Sequence, residues 1–291
     1  MATYNGERYL REQLDSILTQ TISFDEIIIC DDASTDSTWK IICEYAIQDS
    51  RIKVFRNPEN IGVIKNFERV LALCTGDYIA MCDQDDIWVP RHLEILLNII
   101  GDNMAAAGDA EIISAEGEHT GIKLSYCENV DSVPDNDLHK AYSIFFYRGF
   151  YYGSSMLVKK KLVNKVLPIP ESIHNYHDFW LSCCACFCGG IQNTKEIVTL
   201  YRRHPTAVTG MKYRKSRFRT FIGHLLFNRT LKYRSALVLA IRERIGDDLT
   251  SEQKDFLELA ENYFIRRKTF WGRLVNSIFE LKHFKLIYGC K

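Results

Sequence analysis

The sequence contains no apolar run approaching the roughly 20 residues that a membrane-spanning helix needs, which excludes an integral helical membrane protein. It opens without a secretory leader pattern, so an exported, oxidising context is not expected. Internal repeats and low-complexity tracts are absent, which excludes solenoids and disordered linkers. Net charge is absent too, with 37 Lys+Arg against 37 Asp+Glu. The ten cysteines are not spaced as the pairs of a disulfide framework, and the chain is too long to need one. Reduced thiols in a cytosolic protein are the reading. Cys183, Cys184, Cys186 and Cys188 have no second ligand pair at zinc-site distance, and read as small buried hydrophobes.

What is present is a chain of 291 residues with 46% hydrophobic and 25% charged residues, ordinary for a folded globular protein with a full core. The zero net charge conceals a split. Residues 1–200 hold 17 Lys+Arg and 29 Asp+Glu, a balance of −12, and residues 201–291 hold 20 and 8, a balance of +12. An acidic body and a basic tail imply two surfaces with different partners.

The first hundred residues alternate short apolar runs with amphipathic stretches. Leu10, Leu14, Ile17 and Leu18 recur at helical spacing, and Ile27 to Cys30 is a continuous apolar strand ended by Asp31-Asp32. Ser34-Thr35-Asp36 is a helix cap before a helix carrying Trp39, Ile42 and Tyr45. Ile52 to Phe55 reads as a strand, Val63 to Cys74 as a helix, and Tyr78 to Cys82 as a strand running into Asp83-Gln84-Asp85-Asp86. Pro90 opens a helix with Leu93, Leu96 and Leu97. This alternation predicts an α/β fold, a mostly parallel sheet sandwiched by helices. In such sheets ligands bind beyond the carboxyl ends of the strands, which is where Tyr4-Asn5, Asp31-Asp32 and Asp83 to Asp86 fall. The chain opens on a strand-to-helix turn, Met1 to Gly6, with almost no strand ahead of it, so a truncated first strand is expected.

Asp83 and Asp85 are the central clue. Carboxylates at i and i+2 after a buried strand form an oxygen-rich site suited to a hard cation, Mg²⁺ or Mn²⁺, shared with a diphosphate. An acidic helix cap is the bland alternative, and Asp86 fits it.

Taken in order, Met1 to Glu7, Asp31 to Thr38, Asn60-Ile61-Gly62 with Asn66-Phe67-Glu68, Gly76-Asp77-Tyr78 and Asp83 to Trp88 resemble the family 2 glycosyltransferases of the GT-A fold. The likeness is nearest to a bacterial rhamnosyltransferase-like branch and covers about residues 1–210. It implies that Tyr4 and Asp32 hold the nucleotide base, Asp83 the ribose, and Asp85 a metal bridging the donor's phosphates. Members usually carry an apolar strand before the Tyr-Asn turn, which is a second reason to expect truncation here. Tyr152 to Met156 is similar to the family's acceptor-side turn. His177-Asp178-Phe179-Trp180 is similar to its catalytic (E/H)-D-x-W segment, which makes Asp178 the general base. Tyr201-Arg202-Arg203-His204 resembles Y-R-x-H, in which His204 completes the metal site. One base and one metal suffice for a single displacement, which inverts the anomeric centre.

The resemblance therefore implies a GT-A domain over residues 1–210, with a nucleotide-sugar half to about residue 100 and an acceptor half from about 101 to 210. A helical, basic region over 211–291 follows. There Phe218, Phe221, Ile222, Leu225 and Leu226 are interleaved with Arg217, Arg219, Arg229, Lys232 and Arg234. This pattern suits an anionic membrane surface, where each cation adds about 1 kcal/mol; solvated helices are the bland alternative, and the acidic body disfavours nucleic acid. The expected partners are a dTDP- or UDP-sugar donor and a glycan or lipid-linked acceptor for a surface polysaccharide, with rhamnose favoured. The expected location is the cytoplasm or the inner face of the cell membrane. Two alternatives are a nucleotidyltransferase, disfavoured because Asn5-Gly6-Glu7 is not a Gly-rich, Lys/Arg-bearing phosphate loop, and a truncated, non-catalytic nucleotide-sugar-binding homologue.

Overall fold

The computed structural model describes residues 1–127, 136–146, 152–173, 177–205, 234–266 and 269–283. Of the basic residues counted in the tail, Arg217, Arg219, Arg229 and Lys232 lie outside them.

The nucleotide half begins with β1 (Ala2–Thr3), α1 (Leu10–Leu18), β2 (Ile27–Asp31), α2 (Thr38–Gln48), β3 (Ile52–Arg56) and α3 (Val63–Leu73). β4 (Tyr78–Ala80), β5 (Ile87–Trp88) and α4 (His92–Ile100) complete it. β1, β2 and β3 form a parallel sheet in that order. Every residue of β2 is buried, as expected of a continuous apolar run covered on both faces. Leu10, Leu14, Ile29, Ile42, Trp88 and Leu93 share the core on one side of it. β1 is two residues long and extends by one further bond, from the Met1 nitrogen to Ile28 O at 2.8 Å.

The second half supplies β6 (Ala105–Ile113), β7 (His119–Lys123), α5 (Leu124–Cys127), α6 (Asp137–Phe146), β8 (Met156–Lys159), α7 (Lys160–Val166), α8 (His177–Cys188) and β9 (Ile191–Arg202). Here the sheet is mixed, in the order β4-β8-β6-β9-β5 with β7 on β6. β6 and β9 run parallel, whereas β4–β8, β6–β8, β6–β7 and β5–β9 are antiparallel. Thus the parallel pattern is confined to β1–β3 and β6–β9. Short strands with apolar residues at both faces look the same in sequence whichever direction they run, so direction was not legible there.

α9 (Arg234–Ile245), α10 (Ser251–Arg266) and α11 (Phe270–Lys282) follow. They do not form a separate core. Ile241, Leu257 and Phe264 share one apolar cluster with Phe145, Met156 and Trp180. Arg234, counted among the tail's surface cations, is instead buried, and its Nη1 donates to Phe145 O at 2.8 Å. Arg242 pairs with Glu261, and Arg244 reaches the carbonyls of Leu167 and Pro168. Helical spacing alone does not say which cations turn inward. Among the described residues no helix is long and apolar enough to cross a membrane.

The thiols of Cys183, Cys184 and Cys186 are buried on α8, and burial pushes all three up, so they pack as neutral small groups. Trp180 is core, its indole N–H donating to Val166 O at 3.1 Å.

Candidate active site

The loops after β1, β2 and β4 meet at one edge and are laced together by side chains. Asn5 and Ala33 both take left-handed backbone conformations, at φ 47° and 58°, which tighten the two turns. Asn5 N donates to Ser34 Oγ at 3.0 Å, and Thr35 N donates to Asn5 Oδ1 at 2.8 Å. These bonds engage the residues expected to cap α2. That helix starts later, at Thr38, where Asp36 Oδ1 accepts Thr38 N at 2.9 Å. Glu7 Oε2 accepts Ser37 N at 2.8 Å, so the first turn and the second stiffen each other.

These loops wall a cavity of about 370 Å³, which is a small-ligand volume. Tyr4, Asp32, Asp83, Asp85 and Asp178 all line it. His204 does not line it but reaches it through Asp85, its Nε2 lying 2.9 Å from Asp85 Oδ2. The structure thus brings all six sequence-predicted positions to one place, although Asp83 and Asp178 are 95 residues apart in the chain.

Their environments differ. Asp32 is buried and largely engaged, with one acceptor position on Oδ2 left over: Oδ1 accepts Asn57 Nδ2 at 2.7 Å and Ile61 N at 2.9 Å, and Oδ2 accepts Gly62 N at 2.9 Å. It therefore holds the loop from Asn57 to Gly62 as well as facing the cavity. Asp83 stands near Asp85, Asp86 and Asp178, and burial together with those neighbouring charges holds its carboxyl well above the usual range. Asp86 is pushed up to about 7 by burial and Asp85. Its Oδ1 accepts Arg202 N at 2.9 Å, which ties the acidic loop to the end of β9. Asp178 sits in the first turn of α8, accepting Phe179 N at 2.7 Å and Gly153 N at 3.1 Å. Burial outweighs those bonds and raises its pKa to about 6. His177 beside it is buried and stacked on Phe67, ring centroids 3.6 Å apart, and burial lowers its pKa to about 3, so the imidazole is neutral.

Sequence reasoning gave no role to three residues that organise this site. Gln84 binds the Tyr4 main chain at both ends of its amide. Arg202 is buried under the acidic loop. Its Nε donates to Asp85 O at 2.9 Å, its Nη1 to Ala115 O at 3.2 Å, and its Nη2 pairs with Glu12. Tyr9 lies between Arg202 and His204, its ring centroid 4.7 Å from the guanidinium and 4.8 Å from the imidazole. A basic residue two before His204 was the available signal, and it does not disclose burial.

The donor set is an aspartate oxygen and an imidazole nitrogen at one point. Among the described residues no three His, Cys, Asp or Glu side chains converge closely enough to cage an ion. Two protein donors fit a divalent cation that takes its remaining ligands from phosphate and water, as Mg²⁺ does.

The profile described as glycosyl transferase family 2 matches residues 1–167, more than half of the chain. The chain belongs to glycosyl transferase family 2. An uncharacterized glycosyltransferase of Haemophilus influenzae is 30% identical over 215 residues, 70% of this chain and 64% of that protein. The family 2 chain thus spans just under two thirds of that curated relative. TarS of S. aureus, solved as residues 1–349 with UDP-GlcNAc, is 16% identical with a TM-score of 0.56, over 91% of this chain and 79% of that one. The mannosyltransferase PcManGT of Pyrobaculum calidifontis, solved with GDP-Man and Mn²⁺, is 17% identical with a TM-score of 0.57, over 90% of this chain and 68% of that one. At these identities the likeness is one of fold, and the family 2 chain has the GT-A arrangement.

Proposed function

We propose that this chain transfers a sugar from a nucleoside diphosphate sugar to a hydroxyl of a glycan or lipid-linked acceptor, with inversion at the anomeric carbon. The convergence of Tyr4, Asp32, Asp83, Asp85 and Asp178 on one cavity carries the reading. Tyr4 and Asp32 take the nucleotide base, and Asp83 the ribose. Asp85 and His204 hold the divalent cation, Mg²⁺ or Mn²⁺. When bound, that ion offsets charge on the departing diphosphate.

Asp178 accepts the proton of the attacking hydroxyl. A carboxylate raised to about 6 is a stronger base than a solvated one and is still ionised at neutral pH, which suits general-base work. Gly153 N, 3.1 Å away, fixes the carboxylate's rotamer, and His177, kept neutral by burial, puts no positive charge beside it to weaken it as a base. Family membership supports the transferase class. The UDP-GlcNAc and GDP-Man bound to the two structural neighbours support a nucleotide-sugar donor. Rhamnose from dTDP-rhamnose is the first donor to try, then UDP-glucose and UDP-galactose. The reading extends to a cytoplasmic enzyme that rests on the inner face of the membrane through its basic C-terminal region, residues 211–291.

The test is a panel of dTDP-, UDP- and GDP-sugars with Mn²⁺, read as thermal stabilisation and donor hydrolysis. One donor is expected to stabilise the protein and be hydrolysed slowly; silence across the panel would sink the reading. Pelleting with anionic but not neutral liposomes tests the membrane contact.

A further inference from the structure

A positive side chain stands where a cation site has no use for one. Among the described residues lining the cavity Arg202 is the one cation, and it is bonded to the main chain of Asp85. A fixed positive charge beside Asp85 repels a divalent ion. That charge is offset by Glu12, in the first turn of α1, whose carboxylate pairs with Nη2. What the guanidinium offers the site is therefore its shape rather than its charge.

Residue 202 clamps the acidic loop to the end of β9 at two adjacent points. Its Nε donates to Asp85 O at 2.9 Å, and its own N donates to Asp86 Oδ1 at 2.9 Å. The next residue is pinned as well, Arg203 N donating to Ile113 O at 3.0 Å. His204 follows, with its Nε2 2.9 Å from Asp85 Oδ2. Nη1 donates to Ala115 O at 3.2 Å, and Tyr9 packs against both the guanidinium and the His204 ring. Glu12, Asp85 O and Ala115 O are three acceptors at fixed angles. A planar fork meets all three at once, whereas a compact ammonium does not.

Resting on the transferase reading, with Asp85 and His204 as its cation site, we infer that Arg202 is a positioning residue for that site. With Glu12 as its counter-ion, it sets the spacing of Asp85 and His204 before the cation arrives. Ligands held in place beforehand lose less freedom on binding, which strengthens it. Arg202 acts through those two side chains, and its own charge works against the effect. The two contributions thus have opposite signs, and substitution separates them.

The experiment is an Mn²⁺ titration of the full chain with whichever of dTDP, UDP or GDP stabilises the wild type, read by water-proton relaxation, which reports protein-bound Mn²⁺. Arg202→Lys keeps the charge and loses the fork; Arg202→Met loses both. Each is expected to raise the Mn²⁺ midpoint about tenfold or more, the usual loss when a group that orients a metal ligand is removed. Glu12→Gln should raise it about two- to fivefold, the range of a half-exposed ion pair. Nucleotide affinity without Mn²⁺ should be unchanged in all three, which also reports that they fold. Lys140→Met is the structural control: it cuts the bonds of a buried lysine to Asp137 and to Ile191 O at the opposite end of β9, and should lower Tm without moving the midpoint. A lower midpoint in Arg202→Met, or a wild-type midpoint in Arg202→Lys, would show that only charge matters and overturn the inference. An equal rise in Lys140→Met would overturn it too. If neither Arg202 variant folds, Glu12→Gln decides alone, and an unchanged midpoint there sinks the inference. Wild-type protein that binds nucleotide but no Mn²⁺ would instead overturn the cation site, and binding of neither would overturn the transferase reading.

Discussion

Gln84 and Tyr4 are joined by a two-point amide bond: Gln84 Oε1 accepts Tyr4 N at 2.9 Å, and Gln84 Nε2 donates to Tyr4 O at 3.0 Å. The side chain thus mimics a neighbouring strand and ties the turn after β1 to the acidic loop after β4. A Cβ built on Gly6 would lie 2.3 Å from the same Oε1, so position 6 must stay glycine for the amide to seat.

Gln84→Glu is the diagnostic change for this tie. A carboxylate cannot donate to Tyr4 O and adds charge beside Asp83 and Asp85. Nucleotide affinity should fall about tenfold or more with only a small loss of stability, each net hydrogen bond being worth about 1 kcal/mol. Calorimetric titration with whichever of dTDP, UDP or GDP stabilises the wild type checks it; unchanged affinity would show that the tie does not shape the base pocket.

In the proposed base role, Asp178 sets the acid limb of activity. Its pKa of about 6 predicts that kcat/KM falls tenfold per pH unit below about 6. The sign for stability runs the other way. The folded state holds this proton more tightly than the unfolded chain, so the stabilising contribution is complete below about pH 3.8 and is lost as pH rises through 6. Asp178→Asn should therefore abolish transfer yet raise Tm at pH 7.5 by a few degrees, about 2–4 °C per kcal/mol for a domain of ordinary size. Normal transfer by Asp178→Asn would remove Asp178 from the base role.

Asp85 and His204 are expected to act together on the cation. Asp85→Ala should make donor binding insensitive to Mn²⁺, and His204→Ala should shift the Mn²⁺ midpoint upward by about tenfold or more, in line with typical losses at metal sites. EDTA should reduce wild-type donor affinity to that of Asp85→Ala. If EDTA has no effect, the pair is only a buried contact.

Asp32→Ala should be destabilising as well as damaging to binding. It would leave Asn57 Nδ2, Ile61 N and Gly62 N without their acceptor, at about 1–3 kcal/mol for each one left buried and unpaired. A urea titration should show a lower midpoint with an unchanged slope; a purely ligand-facing Asp32 would leave the midpoint in place.

Much of this was legible in one dimension. The apolar run Ile27 to Cys30, the helical spacing of Leu10, Leu14 and Ile17, and the acids ending β2 and β4 predict a layered sheet with polar groups at its carboxyl edge, because burial periodicity and turn chemistry are local properties. Asp83 and Asp85 could be nominated from their spacing after an apolar strand, whereas Asp178 and His204 stood out only through the family likeness of the segments that carry them.

The tertiary structure decided the rest. Only folding brings Asp178 to a cavity shared with Asp83 and strips it of water, and desolvation, absent from a linear chain, sets its pKa. Only folding turns Arg234 inward and merges α9–α11 with the core around Trp180, since helical spacing fixes which residues share a face but not what that face meets. Arg202 and Gln84 are similar: nothing in their sequence neighbourhoods distinguishes a buried strut from a solvated side chain. The sequence by itself determined the elements and the reactive groups; packing determined their partners, their exposure and so their chemistry.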